Sequence, residues 1–321
     1  MKCSVVIATY NGEKYIKEQL DSILNQSIKP NEIVICDDVS TDNTLDIIYA
    51  IKCKEDIPIH IIQHKKNMGV QRTFLEAMNI ATGDIVFFCD QDDYWYENKI
   101  EKFMKAFDCD GDITLAISDA DIVDQNLNKK GNTLWETIDF KPLENMNSVQ
   151  LVDEMLKRNI FTGMCMAVKR EWISSLKISV SSEMLHDEEM GWYAIFAGRV
   201  CTINEKMVAY RQHFENVVGS SKTTKFESFK KMRQSVKKSS ERSKNKFREL
   251  CENELTRDIP KLNKKLFEAF QFYSARVDFF SQSRMKSLVI FMKLIVGGGY
   301  GRFCSKTENA IKKDFICIII R

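Results

Sequence analysis

The sequence predicts an α/β protein, built on a mainly parallel sheet flanked by helices and followed by a basic helical extension. Three observations carry that expectation. Over residues 2 to 119, short apolar runs alternate with segments of helical period, the pattern of successive strand-helix units. Thr9, Asp37, Asn67 and Asp90 stand at or just beyond the C-terminal ends of those runs, the edge at which open α/β sheets bind ligands. From about Ser220 the composition changes to Lys- and Ser-rich helical segments, which sets residues 1–219 apart from 220–321.

Cys3 to Ala8 is the first apolar run, and Thr9-Tyr10-Asn11-Gly12 turns it into a helix from about Glu13 to Leu24. Ile33 to Cys36 is the second, after which Ser40-Thr41-Asp42 offers capping oxygens to a helix reaching about Ile51. A third strand over Ile59 to Gln63, a turn at Asn67 to Gly69 and a helix over Val70 to Ile80 follow. The fourth strand, Asp84 to Cys89, runs into a cluster of carboxylates. Residues 120–160, with Gly131, Pro142 and several asparagines, read as an irregular insertion near the site. Met164 to Val168 resumes a strand, His186 to Ala197 a helix, and Val200 to Ile203 and Met207 to Tyr210 two short strands.

A chain of 321 residues with 44% hydrophobic and 29% charged residues can bury a substantial core. Its net charge of +2 conceals a division: residues 220–321 hold 24 Lys+Arg against 10 Asp+Glu, which leaves 23 against 35 in residues 1–219. An acidic first part suits a metal or sugar, and a basic last part suits an anionic partner or simply a solvated helical surface. The ten cysteines include no C-x-x-C pair, and several lie in apolar runs, as expected of buried thiols in a reducing compartment. With no charged-then-apolar leader and no run of roughly 20 apolar residues, a cytoplasmic protein is expected.

Asp90-Gln91-Asp92-Asp93 directly follows a strand. Hard cations such as Mg2+ and Mn2+ are held by one or two carboxylates together with substrate phosphates, and three acids in four residues repel one another without a cation. A D-x-D pattern alone is nonetheless more often a solvated turn. Asp37-Asp38 ends its strand in the same way, where a carboxylate can accept hydrogen bonds from a base or a ribose.

Five blocks in order resemble family 2 of the glycosyltransferases: Ser4 to Gly12, Asp37 to Thr44, Asn67-Met68-Gly69, Thr82-Gly83-Asp84 and Asp90 to Trp95. The likeness extends to rhamnosyltransferase-like members through His186-Asp187 and Tyr210-Arg211-Gln212-His213, with Asn216 and Gly219, and covers about residues 3–219. It implies a GT-A (Rossmann-like) fold, an inverting transfer and a donor site that uses Mg2+ or Mn2+. Thr9, Tyr10, Asn11 and Glu13 would line the nucleotide, Asp37 or Asp38 the base or ribose, and Asn67 the base side. Asp90 would face ribose and metal with Gln91 beside it on the donor, Asp92 would be the principal metal ligand, and Arg72 would meet phosphate. Ala8 departs from a common Pro, and Thr73 from a common Asn.

The family's general base is an acid in the segment His186-Asp187-Glu188-Glu189; Asp187 is the first candidate and Glu188 the second, although acids here also suit a helix N-terminus. Arg211 could meet the diphosphate, and His213 could coordinate the metal or brace the leaving group. Trp95 and Trp192 could stack on an acceptor sugar or simply fill the core. The processive Q-x-x-R-W pattern is absent, so one sugar per binding event is expected.

Residues 222–248 mix Lys and Arg with Phe226, Phe229, Met232, Val236 and Phe247, and Leu288 to Val296 and Phe315 to Ile320 add apolar stretches. Such a region suits peripheral contact with an anionic inner membrane surface carrying a polyprenyl-linked acceptor, or a helical bundle that forms a homodimer. No nucleic-acid module appears. The expected function is therefore transfer of a sugar from a nucleoside-diphosphate sugar donor to a hydroxyl of a glycan or lipid-linked saccharide. A sugar-nucleotide nucleotidyltransferase and a catalytically silent binding protein are the rivals.

Overall fold

The computed structural model describes residues 1–143, 146–176, 183–212, 225–257 and 259–320, the side chains of 225–228 and 257 excepted. The chain divides into two compact units, one of Met1–Met146 and Phe161–Asn216, the other of Asn147–Ile160 and Val217–Arg321.

The first unit holds a nine-stranded sheet: β1 Cys3–Thr9, β2 Glu32–Asp37, β3 Ile59–Gln63, β4 Ile85–Cys89, β5 Tyr94–Trp95, β6 Leu115–Val123, β7 Lys129–Thr133, β8 Met166–Lys169 and β9 Val200–Arg211. Its order is β3-β2-β1-β4-β8-β6-β9-β5, with β7 beside β6. β1 to β4 pair in parallel, and β1, β2 and β4 are near-continuous apolar runs because helices cover both faces of such a sheet. β8 runs antiparallel to both β4 and β6, and β9 runs parallel to β6. β1, β2, β4, β6 and β9 thus all end at one edge, where β8 begins.

Its helices are α1 Ile16–Leu24, α2 Thr44–Lys52, α3 Val70–Ile80, α4 Lys99–Cys109, α5 Leu134–Thr137, α7 Arg170–Ser175 and α8 His186–Ala197, while α6, Ser148–Met155, belongs to the second unit. α1 buries Ile16, Leu20, Ile23 and Leu24 at the expected spacing, but it starts after a turn in which the Gly12 carbonyl accepts from Tyr15 and Ile16.

Two expectations change. Residues 115–123 form a buried strand, although Ser118, Asp119 and Asp121 interrupt its apolar run. Their polarity is met internally: Asp119 accepts from the Ala120 and Trp135 amides, and Asp121 from Tyr96 Oη and Lys129. The two short final strands are one strand, β9, whose register against β6 shifts on either side of Asp119.

In the second unit α6 is joined by α9 Lys225–Glu252, α10 Glu254–Arg257, α11 Pro260–Asp278, α12 Arg284–Val296, α13 Gly299–Phe303 and α14 Thr307–Ile319. Lys265 pairs with Asp153 and ties α11 to α6. Two 2.8 Å hydrogen bonds from Arg276 and one of 2.6 Å from Tyr300 satisfy the buried Asp314 carboxylate. α12 leaves Met285, Val289, Met292 and Val296 exposed along one stripe. Among the described residues no helix is long and apolar enough to cross a membrane.

Candidate active site

β4 delivers Asp90, Gln91, Asp92 and Asp93 to the sheet edge. Burial, then the charges of Asp92 and Asp187, push the Asp90 carboxyl up to about 7. Asp187 stands at the start of α8. Asp93 is wholly buried; its Oδ1 accepts from the Arg211 amide, and Oδ2 has no partner among the described residues. Burial and then the charges of Asp92 and Asp90 raise it well above the carboxylate range. Asp90 and Asp92 are only half-buried, so these two, and not Asp93, suit a hard divalent cation.

Arg211 differs from its expected role. It is 2% exposed: Nε donates to the Asp92 carbonyl at 2.7 Å, Nη1 to the Gln125 carbonyl and Nη2 to Glu18, and the guanidinium lies 4.4 Å over the Tyr15 ring. With its fork committed to these groups it braces the acidic loop and does not reach for a diphosphate. Lys99 is the residue that sequence reasoning missed. Nζ donates to the Met164 carbonyl at 2.5 Å and sits 3.4 Å from the Trp95 ring centroid, in the core behind the loop. Burial lowers it to about 8, opposed by Cys165, Cys89, Asp93 and Asp90. Its signal was position: Lys99 shares the apolar stripe of α4 with Phe103 and Phe107.

At the ends of β1 and β2, carboxylates organise the backbone. Asp37 accepts from Thr9 Oγ1 and from the amide and hydroxyl of Ser40, a return made possible by Val39 at φ +68°. Asp38 accepts from His64 Nδ1 and from the amides of Met68 and Gly69 at 2.7–2.8 Å. Burial would raise its carboxyl, but these three bonds outweigh it and hold the group below its usual range. Each carboxylate keeps spare acceptor capacity, since it can take about four hydrogen bonds. Asn11 Oδ1 accepts from the Thr41 amide and Glu13 from Asn43, so both clasp the two loops together. Gln91 exchanges two hydrogen bonds with the Tyr10 backbone, and a Cβ at Gly12 would collide with its side chain. The Tyr10 ring, Asn67 and Arg72 are exposed.

Asp187 is buried, its Oδ1 accepting from the Glu188 amide at 2.7 Å and Oδ2 from the Gly163 amide at 3.2 Å. Burial raises it to about 6, held there partly by the Glu188 amide. Glu188 is half-buried beside it. The His186 ring packs against Phe74 with centroids 4.3 Å apart and planes tilted by 32°, neither ring nitrogen is partnered among the described residues, and burial lowers it to about 3. It is a neutral packing residue. Trp95 lies in β5 and Trp192 inside α8, both buried, so neither offers a face to an acceptor sugar. His213, expected as a metal ligand, lies outside the described residues.

The sequence profile described as Glycosyl transferase family 2 matches residues 4–176. The chain is 35% identical over 126 residues to an uncharacterized glycosyltransferase of Nostoc, covering 39% of this chain and 38% of that one. It is 29% identical over 232 residues to the dTDP-rhamnosyl transferase RfbG of Shigella flexneri, covering 67% and 74%. Several of these curated relatives are matched over less than two thirds of their own length. Among solved structures, residues 1–349 of S. aureus TarS in complex with UDP-GlcNAc superpose with a TM-score of 0.58 at 18% identity, covering 99% of this chain and 82% of that one. The mannosyltransferase PcManGT of Pyrobaculum calidifontis, in complex with GDP-Man and Mn2+, gives 0.55 at 15%, covering 99% and 85%. The fold is accordingly that of the GT-A transferases.

Proposed function

Because this chain belongs to glycosyl transferase family 2, we propose that it is an inverting, metal-dependent enzyme. It would move one sugar from a nucleoside-diphosphate donor to a hydroxyl of a glycan or lipid-linked saccharide in cell-surface polysaccharide assembly. The observation that carries this reading is that Asp187 accepts from the Gly163 amide three residues before β8, and β8 pairs with β4, the strand that runs into the Asp90 loop. A base carboxylate beside a metal-binding pair is what an inverting transfer needs.

Asp187, raised to about 6, is ionised at neutral pH yet more basic than an ordinary carboxylate. It takes the proton of the acceptor hydroxyl as that oxygen bonds to the anomeric carbon and the nucleoside diphosphate departs from the opposite face. Mg2+ or Mn2+ bound by Asp90 and Asp92 would neutralise charge developing on the departing diphosphate. The Tyr10 ring and Asn67, both exposed, would take the base, Asp37 and Asp38 would accept from base or ribose, and Arg72 on the first turn of α3 would meet phosphate. Likeness to RfbG makes dTDP-rhamnose the first donor to try and a UDP-hexose the second.

A lipid-linked acceptor at the inner membrane surface is supported by α12, whose exposed Met285, Val289, Met292 and Val296 are accompanied by Arg284, Lys286 and Lys293 and by no acid. The test is product analysis with purified chain, nucleotide-sugar and Mn2+. Free nucleoside diphosphate that disappears in Asp92→Ala is expected. Release of pyrophosphate when a nucleoside triphosphate and a sugar 1-phosphate replace the nucleotide-sugar would establish a nucleotidyltransferase and overturn the reading.

A further inference from the structure

A second set of metal-ligating side chains lies apart from the acidic loop. β2, the residue after β3, and α3 bring Cys36, His64 and Glu76 together: Cys36 Sγ is 3.3 Å from His64 Nε2, which is 2.9 Å from Glu76 Oε2. The three donor atoms lie within 4.8 Å of one another. We propose that these residues form a site for a zinc-class divalent cation, distinct from the one at Asp90 and Asp92.

The first argument is geometric. Tetrahedral coordination at bond lengths of about 2.0–2.3 Å spaces donor atoms by about 3.3–3.7 Å. His64 and Glu76 at 2.9 Å would open by about half an ångström, Cys36 and His64 at 3.3 Å already fit, and Cys36 and Glu76 lie within 4.8 Å, in reach of one cation by a turn of the Glu76 side chain. The second is the orientation of His64. Its Nδ1 lies 2.7 Å from Asp38 Oδ1, so that carboxylate orients the ring and Nε2 is the nitrogen turned to the thiol and Glu76, free to bind a cation once deprotonated. Metal-bound histidines are ordinarily held in this way from behind. The third is chemical: a thiolate and an imidazole select borderline cations such as Zn2+ over Mg2+, unlike the all-oxygen pair on the acidic loop. Cys36 forms a buried wall, and the Glu76 side chain, 50% exposed, leaves an entry path and room for water as a fourth ligand. Asp38 also holds the Met68 and Gly69 amides, so a cation here would fix the turn that carries Asn67.

Without a cation, a protonated His64 can bridge Asp38 and Glu76 as an ordinary ion-pair network, and the experiment must separate the two. Chelator-treated full-length chain is titrated with Co2+ alone. A near-ultraviolet thiolate-to-cobalt band and intense visible bands of four-coordinate Co2+ are expected, retained in Asp92→Ala, insensitive to excess Mg2+ and bleached by Zn2+. Cys36→Ser should lose the ultraviolet band while its circular dichroism stays native. Glu76→Gln, at an exposed position, should weaken Co2+ binding by roughly tenfold or more with native circular dichroism. A wild-type chain with no thiolate band overturns the site. So does a band of equal strength in folded Cys36→Ser, which would trace it to another of the ten cysteines.

Discussion

Arg211 Nε donates a 2.7 Å hydrogen bond to the Asp92 carbonyl, so the last strand of the sheet holds the acidic loop by its backbone. Arg211→Lys keeps the charge but cannot serve Asp92, Gln125 and Glu18 together. A loss of stability on the order of 3 kcal/mol is expected from denaturant titration, because buried carbonyls lose their donors. Mn2+ affinity should fall with it. A variant with native stability and only a raised donor KM would instead place Arg211 on the diphosphate.

Asp187→Asn should reduce kcat by roughly 10²–10⁴-fold with donor affinity nearly unchanged. In the wild type, burial raises the carboxyl from 3.8 to about 6 and the base must be ionised, so kcat/KM should decline as pH falls through about 6. The stability effect has the opposite sign. A folded-state pKa above the unfolded one stabilises the protein most below pH 4, and this contribution is lost as pH rises through 6. Asp187→Asn should therefore be more stable than wild type at pH 7, by on the order of 2–3 kcal/mol. Thermal melts at pH 4 and pH 7 check it, and an unchanged difference between the two would remove the raised pKa.

Lys99 and Asp93 lie together in the core, and each shifts the other's titration. Lys99→Met leaves the Met164 carbonyl without its donor, and Asp93→Asn removes a buried acid. The double variant should be less destabilised than the sum of the singles by at least about 1 kcal/mol. Strict additivity in urea unfolding would show that the two do not interact.

Val289→Glu with Met292→Glu places two charges on the exposed stripe of α12. Cosedimentation with vesicles rich in anionic lipid should weaken by more than about tenfold, and wild-type binding should fall with added salt. Should the pair leave vesicle binding intact and shift sedimentation from dimer to monomer, the stripe is a contact between copies.

The helices over 70–80 and 186–197 were legible to the residue, because their apolar spacing is bounded by a glycine before the first and after the second. The acidic loop was legible because an apolar strand stops abruptly at it. β6 was not: three of its nine residues are polar, and only tertiary partners make Asp119 and Asp121 acceptable inside. Arg211 was located at the correct edge but given the wrong task. Periodicity tells which residues reach the site, and it cannot tell which way a buried guanidinium turns. Trp95 and Trp192 failed as acceptor contacts for the same reason, since aromatic rings suit a core and a sugar face equally well. The Cys36, His64 and Glu76 grouping had no sequence signal, because its spacing arises only when two consecutive strand-helix units fold against one another.

β9 imposes an order of completion on this protein. A ribosome delivers Asp90, Asp92 and Asp187 well before Arg211, yet the loop bearing the first two is braced only when β9 has paired along β6 from Leu115 to Val123. A chain shortened to its first 199 residues keeps every carboxylate proposed for catalysis. It also bares the inner edge of β6 and leaves Asp93 without the amide it accepts from. The smallest working piece of this unit therefore has to reach Arg211, and a polypeptide stalled before that point carries the acidic loop with its carboxylates in mutual repulsion and its scaffold unfinished.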